Sequence, residues 1–285
     1  MNAFASLLVP VDATARSETH LRLALQLAAL GSGGKQPCAI EALYCTAPSF
    51  ADLPMAYAEG AAASLPYLES LYARRRARAR EAFERVQADA ATPVRWLELG
   101  VQPLLETLAG RALFADLLVL GQYQPDDMEA VTRPPDCVES LLIASGKPAL
   151  VLPYAGQFPT VGRRVLLAWK PTREAARAVA AALPLLRRAA RIHLLIEAER
   201  SADAPATRAD LLAYLQQHGV DAPLEVHPAL ETSAVGEALL SKAAEIDADL
   251  LVMGCYGHSR ARELVLGGAS RTVLRAMTLP VLMAH

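Results

Sequence analysis

The chain has 285 residues, of which 53% are hydrophobic and 20% are charged, with a formal net charge of −2. This length is sufficient for two domains of about 140 residues, each with its own core. A charge so close to zero gives no electrostatic reason to expect nucleic acid or an anionic membrane surface as a partner. No apolar run reaches the length of a membrane span, and the first residues resemble a strand rather than a signal peptide.

The four cysteines lie far apart in the sequence, without a Cys-x-x-Cys pair or another metal-ligand spacing. We therefore expect reduced thiols, a cytoplasmic protein and no metal site.

In the first half of the chain, the apolar run Ser6–Asp12 predicts a strand. A helical stretch follows with five arginines mixed with glutamates, which favours a solvated helix face (Arg74, Arg75, Arg76, Arg78 and Arg80). The glycine-rich segment 31–35 has the composition of a phosphate loop, but it follows a helix and is interpreted as a helix stop. The runs Ala115–Gly121 and Ala149–Leu152 predict two further strands.

In the second half of the chain, short continuous apolar runs alternate with helical patterns. The predicted strands are Val165–Trp169, Ile192–Ile196, Leu224–His227, Asp249–Met253 and Pro280–Ala284, and the helices are Arg173–Leu186, Ala206–His218, Ser233–Ile246 and Ser270–Ala276. Uninterrupted apolar strands indicate burial on both faces, which is typical of parallel sheets covered by helices. The order predicts an α/β fold with a doubly wound sheet.

The two halves of the chain are related by an internal repeat. Ala115–Gly121 (ADLLVLG) returns as Ala248–Gly254 (ADLLVMG), 133 residues later. Such self-similarity predicts two copies of one unit. We place the boundary in the glycine- and proline-containing join, which gives domains 1–156 and 157–285.

A glycine loop follows the fourth strand of the second repeat. Gly254 and Gly257 are followed, after nine residues, by Gly267, Gly268, Ala269 and Ser270 at the start of a helix. Glycines allow the backbone to approach a bulky anion, and the first amides of a helix favour negative charge. The alternative is that these residues only shape a turn and cap a helix. Two glycine pairs flanking one loop favour a phosphate site.

The first repeat lacks this loop. The positions of Gly257, Gly267, Gly268 and Ser270 are occupied there by Gln124, Pro135, Asp136 and Val138. Proline removes an amide donor, and an aspartate places negative charge where phosphate would lie. We therefore predict one phosphate site in the chain, in the second repeat.

These residues resemble the universal stress protein family, whose nucleotide-binding members carry a G-x2-G-x9-G-[ST] signature. The resemblance implies two five-stranded parallel sheets in tandem, each of order 3-2-1-4-5, paired like a dimer through their fifth strands. It also implies ATP, with or without Mg²⁺, with its phosphates on the glycine loop. By the same resemblance the base and ribose would contact Ala168, Trp169, Leu195, Met253 and Tyr256. Trp169 as core filling is the slightly favoured alternative to direct stacking.

Two positions depart from the family pattern. Gly268 stands where the signature has serine or threonine, and Lys170 stands where binding members have an aspartate near adenine. A lysine there loses a hydrogen bond to the base, turns toward the phosphates, or is solvated; all three alternatives remain open.

The sequence thus predicts a stress-response protein that binds one adenine nucleotide and acts through ligand-dependent regulation. The alternative is an interaction or dimerisation module of the same fold without nucleotide. No set of general base, nucleophile and oxyanion donors assembles, so slow ATP hydrolysis is the most that we expect of it as an enzyme. We expect no nucleic-acid or membrane partner, and either a monomeric tandem or a homodimer.

Overall fold

The computed structural model describes residues 4–31, 37–46, 61–124, 127, 133–197, 204–230, 234–255 and 268–285. The chain divides into two compact units, Met1–Lys147 and Pro148–His285. The division comes before the fifth strand of the first repeat. The domain boundary at residues 156/157 stays a prediction.

The described residues of the first unit form strands and helices in alternation. They are β1 (Ser6–Val11), α1 (Arg16–Ala29), β2 (Ala39–Thr46), α2 (Ala61–Ala88), β3 (Val94–Val101), α3 (Leu104–Ala112), β4 (Leu117–Gly121) and α4 (Cys137–Ser145). The strands are parallel in the order β3-β2-β1-β4. Leu7, Leu8 and Val9 of β1 and Leu117 to Val119 of β4 are buried, as expected for central strands covered on both faces.

The arginine-rich face of α2 was predicted to be solvated, and this is wrong for one residue. Arg74, Arg76, Arg78 and Arg80 are exposed, whereas Arg75 is only 8% exposed. A helix turns by 100° per residue, so three consecutive arginines spread over about 200° of its circumference, and Arg75 lies on the packed side.

The second unit begins with the last strand of the first repeat and then contains the whole second repeat. Its elements are β5 (Ala149–Leu152), β6 (Arg164–Trp169), α5 (Arg173–Leu186), β7 (Arg191–Glu197), α6 (Ala204–Gln217), β8 (Leu224–Leu230), α7 (Val235–Glu245), β9 (Leu250–Gly254), α8 (Ala269–Ala276) and β10 (Val281–Ala284). Every strand and helix predicted for this half is present, with ends that differ by at most three residues.

The strand order of the second unit confirms the predicted topology. Its sheet runs β5-β10-β9-β6-β7-β8, so the second repeat has the order 3-2-1-4-5. Its five strands are parallel, and β5 pairs antiparallel with β10 through Val281↔Val151 and Leu282↔Leu150. The predicted pairing of the fifth strands is therefore present.

The repeated Ala-Asp-Leu-Leu sequence has the same structural role in both repeats. Asp116 Oδ2 accepts hydrogen bonds from the backbone amides of Ala5 and Ser6, at 2.7 and 3.1 Å. Asp249 accepts from the amides of Gly162, Arg163 and Arg164, at 2.9–3.1 Å. In each repeat this aspartate, just before the fourth strand, fixes the start of the first strand beside it.

The structure also bears on the cysteines and on membrane insertion. None of the four cysteines is part of a disulfide. Burial raises the pKa of the thiols of Cys38 and Cys137 to about 11, so neither forms a thiolate readily. Among the helices of the described residues, none combines the length and the apolarity required to cross a membrane.

Candidate functional site

The predicted site residues of the second repeat lie at the carboxyl edge of its sheet. Ala168 and Trp169 end β6, Leu195 is the register partner of Ala168 on β7, and Met253 and Gly254 end β9. The neighbouring strands β6 and β9 are where the strand order reverses. Such a reversal opens a crevice at the carboxyl edge, which is the usual ligand position in doubly wound sheets.

Gly254 is packed closely against the first turn of α5. A Cβ at Gly254 would lie 2.5 Å from the backbone nitrogen of Ala175 and 2.8 Å from the carbonyl carbon of Glu174. Thr172 caps this helix by accepting a hydrogen bond from the same Ala175 amide, at 3.3 Å. Only glycine permits this contact, so Gly254 has a structural role that does not depend on any ligand.

Helix α8 begins at the same edge of the sheet. It leads from the end of β9 back to the start of the parallel strand β10, so its first turn lies at the carboxyl edge. Gly268 is the N-cap, and its carbonyl accepts from the amides of Arg271 and Thr272 at 2.9 and 3.2 Å. Since glycine has no side chain, Gly268 offers no side-chain oxygen to the first amides of α8.

Close packing between α7 and α8 fixes the position of that first turn. A Cβ at Gly236 would lie 2.7 Å from Thr272 Cβ and 2.9 Å from the carbonyl oxygen of Ala269. Ser270 is 4% exposed, and α8 starts one residue earlier than predicted, at Ala269. The first turn of α8 is thus held by its packing against α7.

Part of the predicted site lies outside the described residues. Tyr256, Gly257 and Gly267 belong to the segment 256–267, as does His258. The described part of the site therefore consists of the strand ends, Gly254 and the first turn of α8.

Two residues at the end of β6 are relevant to a ligand. Lys170 is partly exposed, and its carbonyl accepts a 2.7 Å hydrogen bond from the Thr172 amide, which forms the turn into α5. The Nε1 atom of Trp169 is buried and has no hydrogen-bond partner among the described residues. A buried indole N–H usually finds an acceptor.

The corresponding position of the first repeat is occupied by an ion pair of the chain itself. Asp12 follows β1, and its Oδ2 lies 2.5 Å from Nη2 of Arg133, with both side chains largely buried. Asp12 Oδ1 accepts from the hydroxyls of Thr14 and Ser17, at 2.6 and 2.9 Å. Asp136 lies at the N-cap of α4, as expected from the repeat. The carboxylate of Asp136 at the start of α4 disfavours a bound phosphate there, and the Asp12–Arg133 ion pair occupies the end of β1.

His20 lies against this ion pair and was not singled out from the sequence. It is 2% exposed, and neither ring nitrogen has a hydrogen-bond partner among the described residues. Its Cε1 would lie 2.5 Å from a Cβ at Gly121, the counterpart of Gly254. Burial, assisted by the charge of Arg133, lowers the pKa of His20 to about 3, so the ring is neutral.

A second cluster, also absent from the sequence predictions, lies on β7 and β8. His193, Glu225 and His227 place one ligand-capable atom each within 4.8 Å of one another. His193 pairs with Glu225 across the two strands, and His227 is two residues further along β8 on the same face. The Glu-x-His pattern is visible in the sequence, but the strand register was needed to bring the other histidine to it.

Comparison with known proteins matches the second repeat to a family. Residues 162–285 match the Universal stress protein family. Universal stress protein Slr1230 of Synechocystis sp. (strain ATCC 27184 / PCC 6803 / Kazusa) is 46% identical over 46 residues, which is 16% of this chain and 16% of that protein.

Solved structures match the fold over nearly the whole chain. A universal stress protein from Archaeoglobus fulgidus DSM 4304 is 17% identical with a TM-score of 0.68, and the alignment covers 99% of this chain and 96% of that one. A functionally unknown protein from Pseudomonas aeruginosa PAO1 is 18% identical with a TM-score of 0.55, covering 98% and 92%. At such identities these structures establish the fold alone. Residues 162–285 are thus similar to the universal stress protein family, and the whole chain shares its fold with a solved universal stress protein.

Proposed function

We propose that the second repeat binds one adenine nucleotide, with its phosphates at the first turn of α8. The observation that carries this proposal is the position of Gly268. It starts a helix at the carboxyl edge of the sheet beside the point of strand reversal, and has no side chain to cap the amides. Amides at a helix start, with the helix dipole, form an anion-binding site.

The base would lie at the ends of β6 and β7. Leu195 and Met253 supply buried apolar surface there, and the buried Nε1 of Trp169 is a hydrogen-bond donor without a partner among the described residues. Apolar walls with a few placed polar groups are typical of small-molecule sites. ATP, with or without Mg²⁺, is the nucleotide that we propose, and the biological role is regulation of a partner in a stress response.

A second function is favoured by one observation. Lys170 occupies the strand end where a carboxylate would accept from the adenine amine, and an ammonium has only donors. A module that docks a protein partner without nucleotide is therefore the alternative. The reduced thiols support a cytoplasmic location for either function.

Two measurements distinguish these functions. The purified full chain is denatured and the supernatant analysed by mass spectrometry for released nucleotide. The chain is then freed of nucleotide by reversible unfolding and titrated with ATP, with and without Mg²⁺, by calorimetry. We expect adenine nucleotide in the supernatant and binding of one equivalent. The nucleotide proposal is wrong if the supernatant contains no nucleotide, neither titration gives heat, and ATP does not raise the melting temperature. In that case the docking module remains.

A further inference from the structure

A cavity of about 410 Å³ opens on the sheet of the second unit, away from the candidate nucleotide site. His193, Glu225 and His227 line it, together with residues of α7 and the first residues of β6 and β7. The candidate nucleotide site lies toward the carboxyl ends of these strands, where Leu195 is the register partner of His227. The cavity extends from the cluster toward the other ends of the strands, at Arg164 and Arg191.

We propose that His193, Glu225 and His227 bind a divalent transition-metal ion, with Zn²⁺ as the expected metal. Two imidazoles and one carboxylate are a ligand set that suits zinc. The three side chains come from the adjacent strands β7 and β8, whose register is fixed by hydrogen bonds on both sides of the cluster. All three proposed ligands therefore lie on strands, and none of them lies on a loop.

The distances between ligand atoms fit a four-coordinate ion. Nδ1 of His193 lies 2.9 Å from Nε2 of His227, and the Glu225 oxygens lie 3.6 and 3.8 Å from these two nitrogens. Ligands at zinc distances of about 2.0–2.2 Å in a tetrahedron are separated by about 3.3–3.6 Å. The observed separations lie on either side of this range, so small side-chain rotations suffice.

The exposures of the three ligands define how an ion reaches the cluster. His227 is a tenth exposed and Glu225 is 55% exposed, so the open side of the cluster is the carboxylate side. An ion can enter there without displacing the core.

Cationic side chains line the same cavity, and two of them already have acidic partners. Arg164 contacts Asp247 at 3.4 Å, and Lys242 contacts Glu245 at 2.8 Å. Three protein ligands leave at least one position of the ion for water or an anion, and these cations favour an anion there.

The test uses the full chain after treatment with a chelator and dialysis, with no nucleotide present because ATP itself binds metals. Calorimetric titration with ZnCl₂ measures stoichiometry and affinity, and titration with Co²⁺ reports four-coordinate geometry by its visible absorption. We expect one ion per chain. Ligand removal in His227→Ala weakens binding at least about 10-fold, since even removal of groups that only orient ligands has that effect.

Two further variants keep the test decisive. Glu225→Gln changes an exposed side chain and keeps the fold, and we expect weakened binding there too. His218→Ala is the matched control, because this histidine stacks on Tyr214 outside the cluster, and we expect it to bind zinc like the parent. Zinc binding that is absent in the parent, or unchanged in both cluster variants, overturns the proposal. So does stabilisation by inorganic phosphate in place of zinc, which indicates an anion site.

Discussion

The backbone nitrogen of Ala175 lies where a side chain at Gly254 would begin, 2.5 Å from the position of a Cβ. The neighbouring atoms are backbone atoms of Glu174 and Ala175 in the first turn of α5, which cannot rotate away. Gly254→Ala should therefore lower the free energy of unfolding by about 1–3 kcal/mol, measured by urea denaturation. Gly100→Ala is the control, because no atom lies within 4 Å of its Cβ position. Equal stability of the two variants would contradict the packing role.

The charge at the start of α8 provides a test of the nucleotide site that leaves the fold intact. Gly268→Asp places a carboxylate at an N-cap position with φ −48° and ψ 158°, where aspartate is favourable. Thermal stability should be equal or higher. ATP affinity should fall at least about 100-fold, because two like charges about 4 Å apart repel by about 4 kcal/mol at an effective dielectric constant of about 20.

The control for this variant carries the same substitution in an open position. Gly100→Asp adds the same charge to the exposed end of β3 and should bind ATP like the parent. If Gly268→Asp binds ATP with parental affinity by calorimetry, the phosphates do not lie at α8.

Substitution of Lys170 tests the proposed position of adenine. Lys170→Asp restores an acceptor for the exocyclic amine at the end of β6, beside the proposed base pocket. We expect ATP affinity to rise about 5–150-fold, corresponding to about 1–3 kcal/mol for an otherwise unsatisfied polar pair. Calorimetry with ATP and with GTP, which lacks that amine, separates a base contact from a general charge effect. Lys147→Asp, in the other repeat, is the control for the change in net charge. A loss of ATP affinity in Lys170→Asp, but not in Lys147→Asp, would mean that Lys170 contacts phosphate.

The fold of this protein could be predicted from the sequence because the repeat and the apolar strand runs are local signals. Ala115–Gly121 and Ala248–Gly254 identified the fourth strands, and the structure adds that Asp116 and Asp249 each bind the start of a neighbouring strand. Features that depend on packing between distant segments were harder to predict from the sequence. The burial of Arg75 depends on the rotation of α2 about its axis relative to the sheet, and the arginine-rich composition of α2 does not indicate this rotation.

In the candidate sites, too, contiguous motifs could be predicted from the sequence, whereas contacts between distant residues could not. The glycine loop is a contiguous motif and was visible, but the clash that requires glycine at 254 involves α5, 79 residues earlier in the chain. The cluster of His193, Glu225 and His227 depends on the register between β7 and β8. Arg133 and Asp12, separated by 121 residues, could not be paired before the fold was known.

The buried ion pair of the first repeat should be sensitive to removal of one partner. Burial raises the pKa of Asp12, but Arg133 and hydrogen bonds from Thr14 and Ser17 lower it more, so this carboxylate stays charged. Arg133→Met leaves the charge uncompensated and should lower the free energy of unfolding by about 3–5 kcal/mol. The double variant Asp12→Asn/Arg133→Met should recover most of this loss in chemical denaturation. A double variant as unstable as the single one would show that packing, and not charge, is responsible.

His20 should make the stability of the first repeat depend on pH. Its pKa of about 3 in the folded chain lies below the ordinary value of 6.5, so between these values the unfolded chain binds a proton that the folded chain does not. Stability is therefore lost as the pH falls below about 6.5, and the loss continues to about pH 3. From pH 7 to pH 5 the expected contribution is about 2 kcal/mol, since each pH unit contributes about 1.4 kcal/mol.

The measurement compares urea unfolding of the parent and of His20→Asn at pH 7 and pH 5, because asparagine is small enough for the site and does not titrate. Other groups affect both proteins alike and cancel in the difference. The parent should lose about 2 kcal/mol more than the variant over this interval. Equal losses would mean that His20 is protonated in the folded chain. In that case the ring has a counter-ion, and Asp12, which Arg133 also contacts, is the carboxylate nearest to that role.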